Sequence, residues 1–248
     1  MSASVFLIDP ERASDAKVGN EVILDGPEGR HAVAVQRIRV GETVHLVDGR
    51  GRRIVGSVEE LTDKNSATVT VEEIDDEFEP RPRITAVQAI AKADRGELAV
   101  QMLTEAGIDS IVPWQAEHSV ARWDEAKALK NREKWQSTAR EAAKQARRAW
   151  IPRVDPLTGS AGIADLIANS SVAFVLDEQA STPLTSIDIS TVHDVLLVIG
   201  PEGGLSDNER EQFADAGADL VRLGPTVLRT STAGVAALSV VSSRVGRW

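Results

Sequence analysis

From residue 84 onward the chain alternates between short, almost entirely apolar segments and longer segments of helical character. The apolar segments have the length of strands but lack a polar face, which is typical of parallel strands covered by helices on both sides. The sequence therefore predicts an α/β fold built on a mostly parallel sheet. The predicted strands span 84–90, 110–114, 172–177, 194–200 and 219–224, and the predicted helices span 96–106, 124–150, 207–216 and 232–245.

The sequence before this region has a different pattern, with short strand-like segments separated by turn signals. One helix is predicted over 27–38. We therefore expect a small β-barrel-like domain over residues 1–74. Residues 75–83, DDEFEPRPR, are charged, hold two prolines and show no period, so they are predicted to be a linker to the second domain, 84–248.

The chain contains no cysteine, which removes several classes of site. It can form no disulfide, no thiolate nucleophile and no cysteine-ligated zinc or iron–sulfur centre. The four histidines are scattered without ligand spacing, so no metal is expected. The apolar runs are too short for a membrane span and the first residues lack the features of a signal peptide, so we expect a cytoplasmic protein with no membrane partner.

The charge of the chain is unevenly distributed. A formal net charge of −10 argues against a protein that coats nucleic acid nonspecifically. Residues 122–153, however, hold ten basic side chains and four acidic ones. Such a concentrated basic segment fits a polyanion bound at a defined place, although a solvated helix face has the same composition.

The candidate site lies in the loops that follow the predicted strands, because ligands of parallel sheets bind beyond the carboxyl ends of strands. The loop 200–206, GPEGGLS, holds three glycines that permit close backbone approach to a ligand. Ser206 and Glu209 are predicted to form a capping box at the start of the next helix. A purely structural strand-to-helix turn would have the same sequence.

Two observations restrict the class of ligand that this loop can bind. Neither standard phosphate-binding glycine motif occurs, and the acidic Glu202 and Asp207 would repel a pyrophosphate. A nucleotide without phosphate, such as S-adenosylmethionine, fits this loop. The second glycine loop, 223–234, places Arg229 beside small residues and ahead of three hydroxyl residues at 230–232, any of which could cap the last helix.

These two loops carry a specific resemblance. IGPEGG at 199–204, followed by LGP at 223–225 and VLRTSTA at 227–233, resembles the paired cofactor motifs of the SPOUT superfamily. Within it, the chain is most similar to the 16S ribosomal RNA uridine-N3 methyltransferase family, the RsmE group. VQRIRVGE at 35–42 is similar to the motif that opens the PUA-like RNA-binding domain of that family.

The resemblance extends over essentially the whole chain. Lys92 and TEAG at 104–107 match the start of the family's catalytic domain, and Gln145 with Arg148 match its long-helix motif. It implies a trefoil-knotted methyltransferase domain, S-adenosylmethionine as cofactor, N3 of a uridine in 16S ribosomal RNA or the small subunit as substrate, and a homodimer. The cofactor-binding positions implied are Leu176, Gly200, Pro201, Gly203, Leu223, Gly224, Leu228, Thr230, Thr232 and Ala233.

The remaining expected roles are inferred from the resemblance together with the charges of the side chains. Arg229 is expected to stabilise the uridine anion, and Glu202 to act as a base or to anchor the methionine amino group, although a turn carboxylate bound by backbone amides would have the same sequence. The expected RNA-binding residues are Arg37, Arg39, Arg52, Lys92, Lys144, Gln145, Arg147 and Arg148.

Four positions depart from the family pattern. The family usually has glutamate at the positions of Ser231 and Lys144, lysine at Met102 and arginine at Val5. Two other functions remain open from the sequence: the same fold acting on another acceptor, such as a transfer RNA ribose 2′-hydroxyl, or a noncatalytic RNA-binding or assembly factor. A nicotinamide dehydrogenase is disfavoured because the dinucleotide fingerprint is absent.

Overall fold

The computed structural model describes residues 3–248, which divide into two compact units. The first unit comprises the described residues up to Glu79 together with Ala143–Ile151. The second comprises Pro80–Ala142 and Pro152–Trp248. The sequence-based division places segment 143–151 in the second domain, whereas the contacts of the structure place it in the first unit.

The first unit is built on a five-stranded sheet. Its strands are β1 Ser4–Leu7, β2 Glu21–Leu24, β3 Thr43–Val47, β4 Arg52–Glu60 and β5 Ala67–Asp76. Its helices are α1 Pro10–Asp15 and α2 Gly26–Arg30, and α2 continues as a π-helical stretch over His31–Gln36. The strand order is β1-β3-β4-β5-β2, with β1 and β3 parallel and the other pairs antiparallel. The core of this unit includes Phe6, Leu24, Leu46, Ile54 and Val69.

Two elements of the first unit differ from the sequence expectation. Helix α1 was not predicted, because Ala13 is its buried residue and it therefore shows no apolar period; Pro10 and the Asp9 side chain, which accepts from the Glu11 backbone N–H, start it. Strand β5 continues two residues into the predicted linker, because Asp75 and Asp76 pair with Arg53 and Arg52 on the neighbouring antiparallel strand β4.

Segment 143–151 joins the first unit through backbone pairing. The Ile151 N–H donates to the Gly49 carbonyl at 3.1 Å, and the Gly51 N–H donates to the Ala149 carbonyl at 3.2 Å. The predicted helix 124–150 therefore ends early, because Arg147 adopts a left-handed φ of +55° that no α-helix continues through.

The second unit is built on a parallel sheet. Its strands are β6 Arg83–Ala89, β7 Ser110–Gln115, β8 Arg153–Val154, β9 Thr158–Gly159, β10 Val172–Leu176, β11 Asp194–Ile199 and β12 Asp219–Val221. Its helices are α3 Arg95–Glu105, α4 Glu125–Gln145 apart from its last turn, α5 Ser160–Ala168, α6 Asp207–Asp215 and α7 Thr230–Arg244, with a 3-10 turn at Leu184–Ser186. The strand order is β12-β10-β11-β6-β7-β8, and β9 pairs with β7. The α/β architecture predicted for this part of the chain is confirmed.

Both faces of this sheet are buried. Along β11, Val195, Leu197 and Ile199 face one core, and Leu196 and Val198 face the other. Helices α3, α4 and α7 supply the first core, whereas α5 and α6 supply the second. This two-sided burial explains why the strands read as continuous apolar runs. Within the described residues, no helix has both the length and the apolar character that a bilayer span requires.

Helix α7 packs closely on the sheet and on α3. A Cβ added at Gly234 would lie 3.3 Å from side-chain atoms of both Ile199 and Leu103, so this glycine permits the close approach that the small residues of the segment predicted. The trefoil knot implied by the resemblance stays a prediction.

A buried ion pair follows α7. Arg247 donates to both carboxylate oxygens of Asp109, at 2.7 and 3.0 Å, and to the carbonyls of Gly107 and Pro82. Asp109 also accepts from the Ile84 N–H at 2.8 Å. The side chains of Arg247 and Asp109 are 12% and 7% exposed, so this bidentate pair holds the residues after α7 against the start of β6.

We expect Asp109→Asn to lower the free energy of unfolding by about 3 kcal/mol or more, because it leaves the Arg247 charge buried without its counter-ion. Urea unfolding followed by circular dichroism measures this. The matched control is Asp165→Asn on the exposed surface of α5, which is expected to change stability by less than about 0.5 kcal/mol. Equal stabilities of the two variants would contradict the prediction.

Candidate functional site

A cavity of about 910 Å³ lies at the carboxyl ends of the strands of the second unit. Its walls include the loops after β10, β11 and β12, which are the loops that the sequence singled out. The predicted residues that line it are Leu176, Gly200, Pro201, Glu202, Gly203, Leu223, Gly224, Leu228, Arg229, Thr230 and Ala233. Thr232 is the predicted cofactor residue that the cavity lining does not include.

The β11–α6 loop depends on its glycines. Gly204 has a φ of +72°, which favours glycine. A Cβ added at Gly203 would lie 3.0 Å from the Cβ of His118 and 3.1 Å from its carbonyl oxygen. The loop after β7 therefore rests directly on this glycine, and His118 lines the cavity rather than lying on a remote surface.

A buried carboxylate ties this loop to its neighbours. Glu209 is 1% exposed and forms the predicted capping box with Ser206, which is confirmed. Its Oε1 accepts from the Glu117 N–H and from the Ser160 hydroxyl, both at 2.8 Å, and its Oε2 accepts from the Ser206 N–H at 3.1 Å. Because three donors converge on it, Glu209 fixes the loops after β7 and β11 and the start of α5 together.

Thr230 connects the second glycine loop to the sheet. Its hydroxyl donates to the Gly200 carbonyl at 2.8 Å and accepts from the side-chain amide of Gln88 at 2.9 Å. The alternative in which a hydroxyl at 230–232 caps α7 does not hold, because Arg229 is the N-cap residue and the helix has no side-chain cap hydrogen bond from any described residue. The Thr230 hydroxyl instead bonds to Gly200, at the start of the loop after β11.

Asp177 is a cavity residue that the sequence analysis missed. It is 5% exposed, directly follows β10, and accepts from Arg210 Nε at 2.7 Å. Arg210 also donates to Asp207 at 3.0 Å, and its hydrogen bond to the Asp177 carboxylate raises the pKa of the guanidinium. The sequence contained one indication of this ion pair, because Arg210 is the single basic residue between Asp177 and Asp219.

The two predicted catalytic side chains have different surroundings. Glu202 accepts from the Lys92 backbone N–H at 3.1 Å, which favours its reading as a turn carboxylate. Arg229 is exposed and has no ion pair among the described residues, while its carbonyl accepts from the N–H groups of Thr232 and Ala233. The backbone of Arg229 is thus fixed and its guanidinium is available to a ligand.

The predicted RNA-binding residues lie in the first unit, except Lys92, which is exposed in the second. Arg37, Arg39, Gln145 and Arg147 are exposed, and Arg52 and Arg148 are partly buried. Lys144 requires a correction. Its side chain is 6% exposed and donates to Glu28 at 2.8 Å, so its charge is neutralised inside the unit instead of facing a polyanion.

Comparison with known proteins agrees with this geometry. A family model described as an RNA methyltransferase domain matches residues 79–242, and one described as an RNA methyltransferase PUA domain matches residues 24–72. A Mycobacterium bovis protein named ribosomal RNA small subunit methyltransferase E is 39% identical over 252 residues, covering 100% of this chain and 94% of that protein. Its Bacillus subtilis namesake is 28% identical over 226 residues, covering 88% of each.

A solved structure is similar over the same extent. The ribosomal RNA small subunit methyltransferase E of Neisseria gonorrhoeae, bound to S-adenosyl methionine, matches with a TM-score of 0.84 at 26% identity. The match covers 98% of this chain and 98% of that chain.

We expect Thr230→Val to destabilise the second unit by about 1–3 kcal/mol, because it leaves the Gly200 carbonyl and the Gln88 amide without their shared hydroxyl. Thr230→Ser keeps the hydroxyl and is the matched control. Urea unfolding of both variants measures the difference. A valine variant as stable as the wild type, or more stable than the serine variant, would contradict the prediction.

Proposed function

The chain belongs to the RNA methyltransferase family whose curated members are named ribosomal RNA small subunit methyltransferase E, and from this membership we propose that it methylates N3 of a uridine in 16S ribosomal RNA. The methyl donor is S-adenosylmethionine. The proposal includes N3 as the acceptor atom, the residue roles given below, a homodimer and a cytoplasmic location.

The observation that carries the proposal is the cavity formed by the loops after β10, β11 and β12. Its volume of about 910 Å³ is ample for a nucleoside-sized ligand. Three of its acidic lining residues, Glu178, Glu202 and Asp207, lie on the loops after β10 and β11 and at the start of α6, where they disfavour a phosphate and suit the cationic groups of S-adenosylmethionine. The residues present therefore fit this cofactor, which when bound supplies an electrophilic methyl group on a sulfonium.

The chemistry left to the protein is to hold the acceptor base and to stabilise its anion. N3 of uridine becomes nucleophilic when its weakly acidic imide proton passes to water or another base, so the uridine carries negative charge before it receives the methyl group. A fixed cation that faces this charge accelerates the reaction most, because it needs no reorganisation. Arg229 suits this role, since its backbone is anchored at the start of α7 and its side chain has no partner among the described residues.

Glu202 is proposed as an anchoring residue. One of its carboxylate oxygens already accepts from the Lys92 N–H, which holds the carboxylate at the cavity wall. A carboxylate that is held in one position is suited to binding the ammonium group of the cofactor's methionine portion. It is less suited to the role of a base, because a base must rotate between partners.

RNA contact is proposed for the exposed basic residues of the first unit, Arg37, Arg39 and Arg147, with Arg52 and Arg148 beside them. Arg53 supports this surface, because it donates to the carbonyl of Arg147 at 2.9 Å. The target base must leave its stack to reach a cavity of this kind. A homodimer acting in the cytoplasm completes the proposal, and a sedimentation mass of 26.6 kDa would contradict the dimer.

The acceptor is tested by mass spectrometry of nucleosides from 16S ribosomal RNA of a strain that lacks this protein. We expect loss of N3-methyluridine and its return when the gene is restored. Loss of a ribose-methylated nucleoside, or of a modification in transfer RNA, would reject the proposed acceptor. An unchanged nucleoside profile would favour a noncatalytic factor.

The role of Arg229 is tested by Arg229→Gln. We expect kcat for methyl transfer to fall by about 10²- to 10³-fold, because the developing anion loses its cation. Calorimetric affinity for S-adenosylhomocysteine should stay the same, since that ligand carries no uridine. Arg229→Lys should retain part of the rate. A weakened cofactor affinity with unchanged kcat would place Arg229 on the cofactor instead.

A further inference from the structure

The cavity continues past the loops that the proposed cofactor needs. The sheet order β12-β10-β11-β6-β7 places the loops after β6 and β7 at one end of its carboxyl edge. Arg95, Glu117 and His118 line the cavity from these two loops, and none of them belongs to the resemblance motifs. Because methyl transfer brings two reactants side by side, this end is where the acceptor nucleotide fits.

Among the cavity's arginines, Arg95 has the most distinctive surroundings. Arg210 is neutralised by the carboxylates described above, whereas Arg95, Arg222 and Arg229 have no ion pair or side-chain hydrogen bond among the described residues. Arg222 and Arg229 are exposed, but Arg95 is partly buried. A partly desolvated guanidinium without a counter-ion is unfavourable in the free protein, and an anionic ligand would relieve this cost.

The backbone around Arg95 is held firmly in place. It is the first residue of α3, and a Cβ added at Gly96 would lie only 2.8 Å from the ring of Trp135 on α4. Glu97 forms an ion pair with Lys134 on the same helix at 2.9 Å. The start of α3 is therefore packed against α4, and the attachment point of the Arg95 side chain is fixed.

The loop that leads into α3 is also constrained. Ala93 has a φ of +58°, a conformation that residues other than glycine adopt infrequently. The preceding Lys92 N–H donates to Glu202, which joins this loop to the β11–α6 loop. Arg95 is thus presented to the cavity by a loop that is tied to one of the proposed cofactor loops.

We propose that Arg95 binds a backbone phosphate of the acceptor nucleotide and so positions its base in the β6 and β7 end of the cavity. This inference rests on the proposed function. S-adenosylmethionine contains no phosphate, so a phosphate in this cavity comes from the RNA. The planar guanidinium fork binds two phosphate oxygens at once, which fixes direction as well as distance.

The test compares Arg95→Gln with Arg244→Gln, which removes the same charge. Arg244 ends α7, about 21 Å along the helix axis from the cavity residue Thr230. For Arg95→Gln we expect kcat/KM with small ribosomal subunits to fall roughly 10- to 100-fold. Affinity for 16S transcript, measured against salt, should lose about 0.7–0.9 from its log–log slope, as expected for one phosphate contact. The Arg244 variant should retain the wild-type slope.

Two further measurements make the result unambiguous. Calorimetric affinity for S-adenosylhomocysteine should be unchanged in Arg95→Gln, and Arg95→Lys should keep the salt slope but recover only part of kcat/KM, because it retains charge without the fork. An unchanged slope in Arg95→Gln would overturn the proposal. So would a loss of S-adenosylhomocysteine affinity, which would assign Arg95 to the cofactor carboxylate. Failure of the wild-type protein to bind cofactor or to methylate RNA would instead reject the proposed function, and the slope comparison would still report on Arg95.

Discussion

Burial of the parallel sheet on both faces is the constraint on which the rest of the second unit depends. Strands such as β11 direct successive side chains into two separate cores. A position within such a strand therefore cannot hold a solvated polar group. Chemistry is thereby confined to the strand ends, where side chains and backbone groups are free of the ladder. Two buried carboxylates near these strand ends are each satisfied by specific donors: Asp177 lines the cavity, and Glu209 in α6 ties together the loops beside it.

Much of this arrangement could be predicted from the sequence, because strand type and loop position follow from local patterns. The alternation of apolar runs with helical segments gave the sheet, and the two glycine loops gave one side of the cavity. What local patterns could not show is which distant side chains meet there. Asp177, His118 and Arg95 come from loops that look ordinary by themselves, and they become site residues through the strand order. Ligands of parallel sheets bind beyond the carboxyl ends of strands. Applied to the strand at 84–90, this rule predicts that the loop before Arg95 belongs to the site.

The structure shows the surroundings of three residues that depart from the pattern implied by the family resemblance. Lys144 stands where glutamate is usual, and Glu28 on the same unit neutralises it. Val5, where arginine is usual, is buried with Val47 and Ala149, so a charge there would need a partner. Ser231 is 3% exposed in the first turn of α7. Charge counting along the sequence treated Lys144 as an RNA contact because it cannot distinguish a surface cation from a paired, buried one.

The hydrogen bonds that build the cavity also bear on how the chain reaches its native state. Gln88 meets Thr230 across 142 residues of sequence, and the Lys92 N–H meets Glu202 across 110. The Arg247–Asp109 pair, whose residues do not line the cavity, spans 138 residues. Contacts so distant in sequence carry a high loop-closure entropy before they contribute any stability, and chains rich in them fold slowly. We therefore expect the binding pocket to be among the last parts of this protein to acquire its shape, after the individual helices and neighbouring strands have formed.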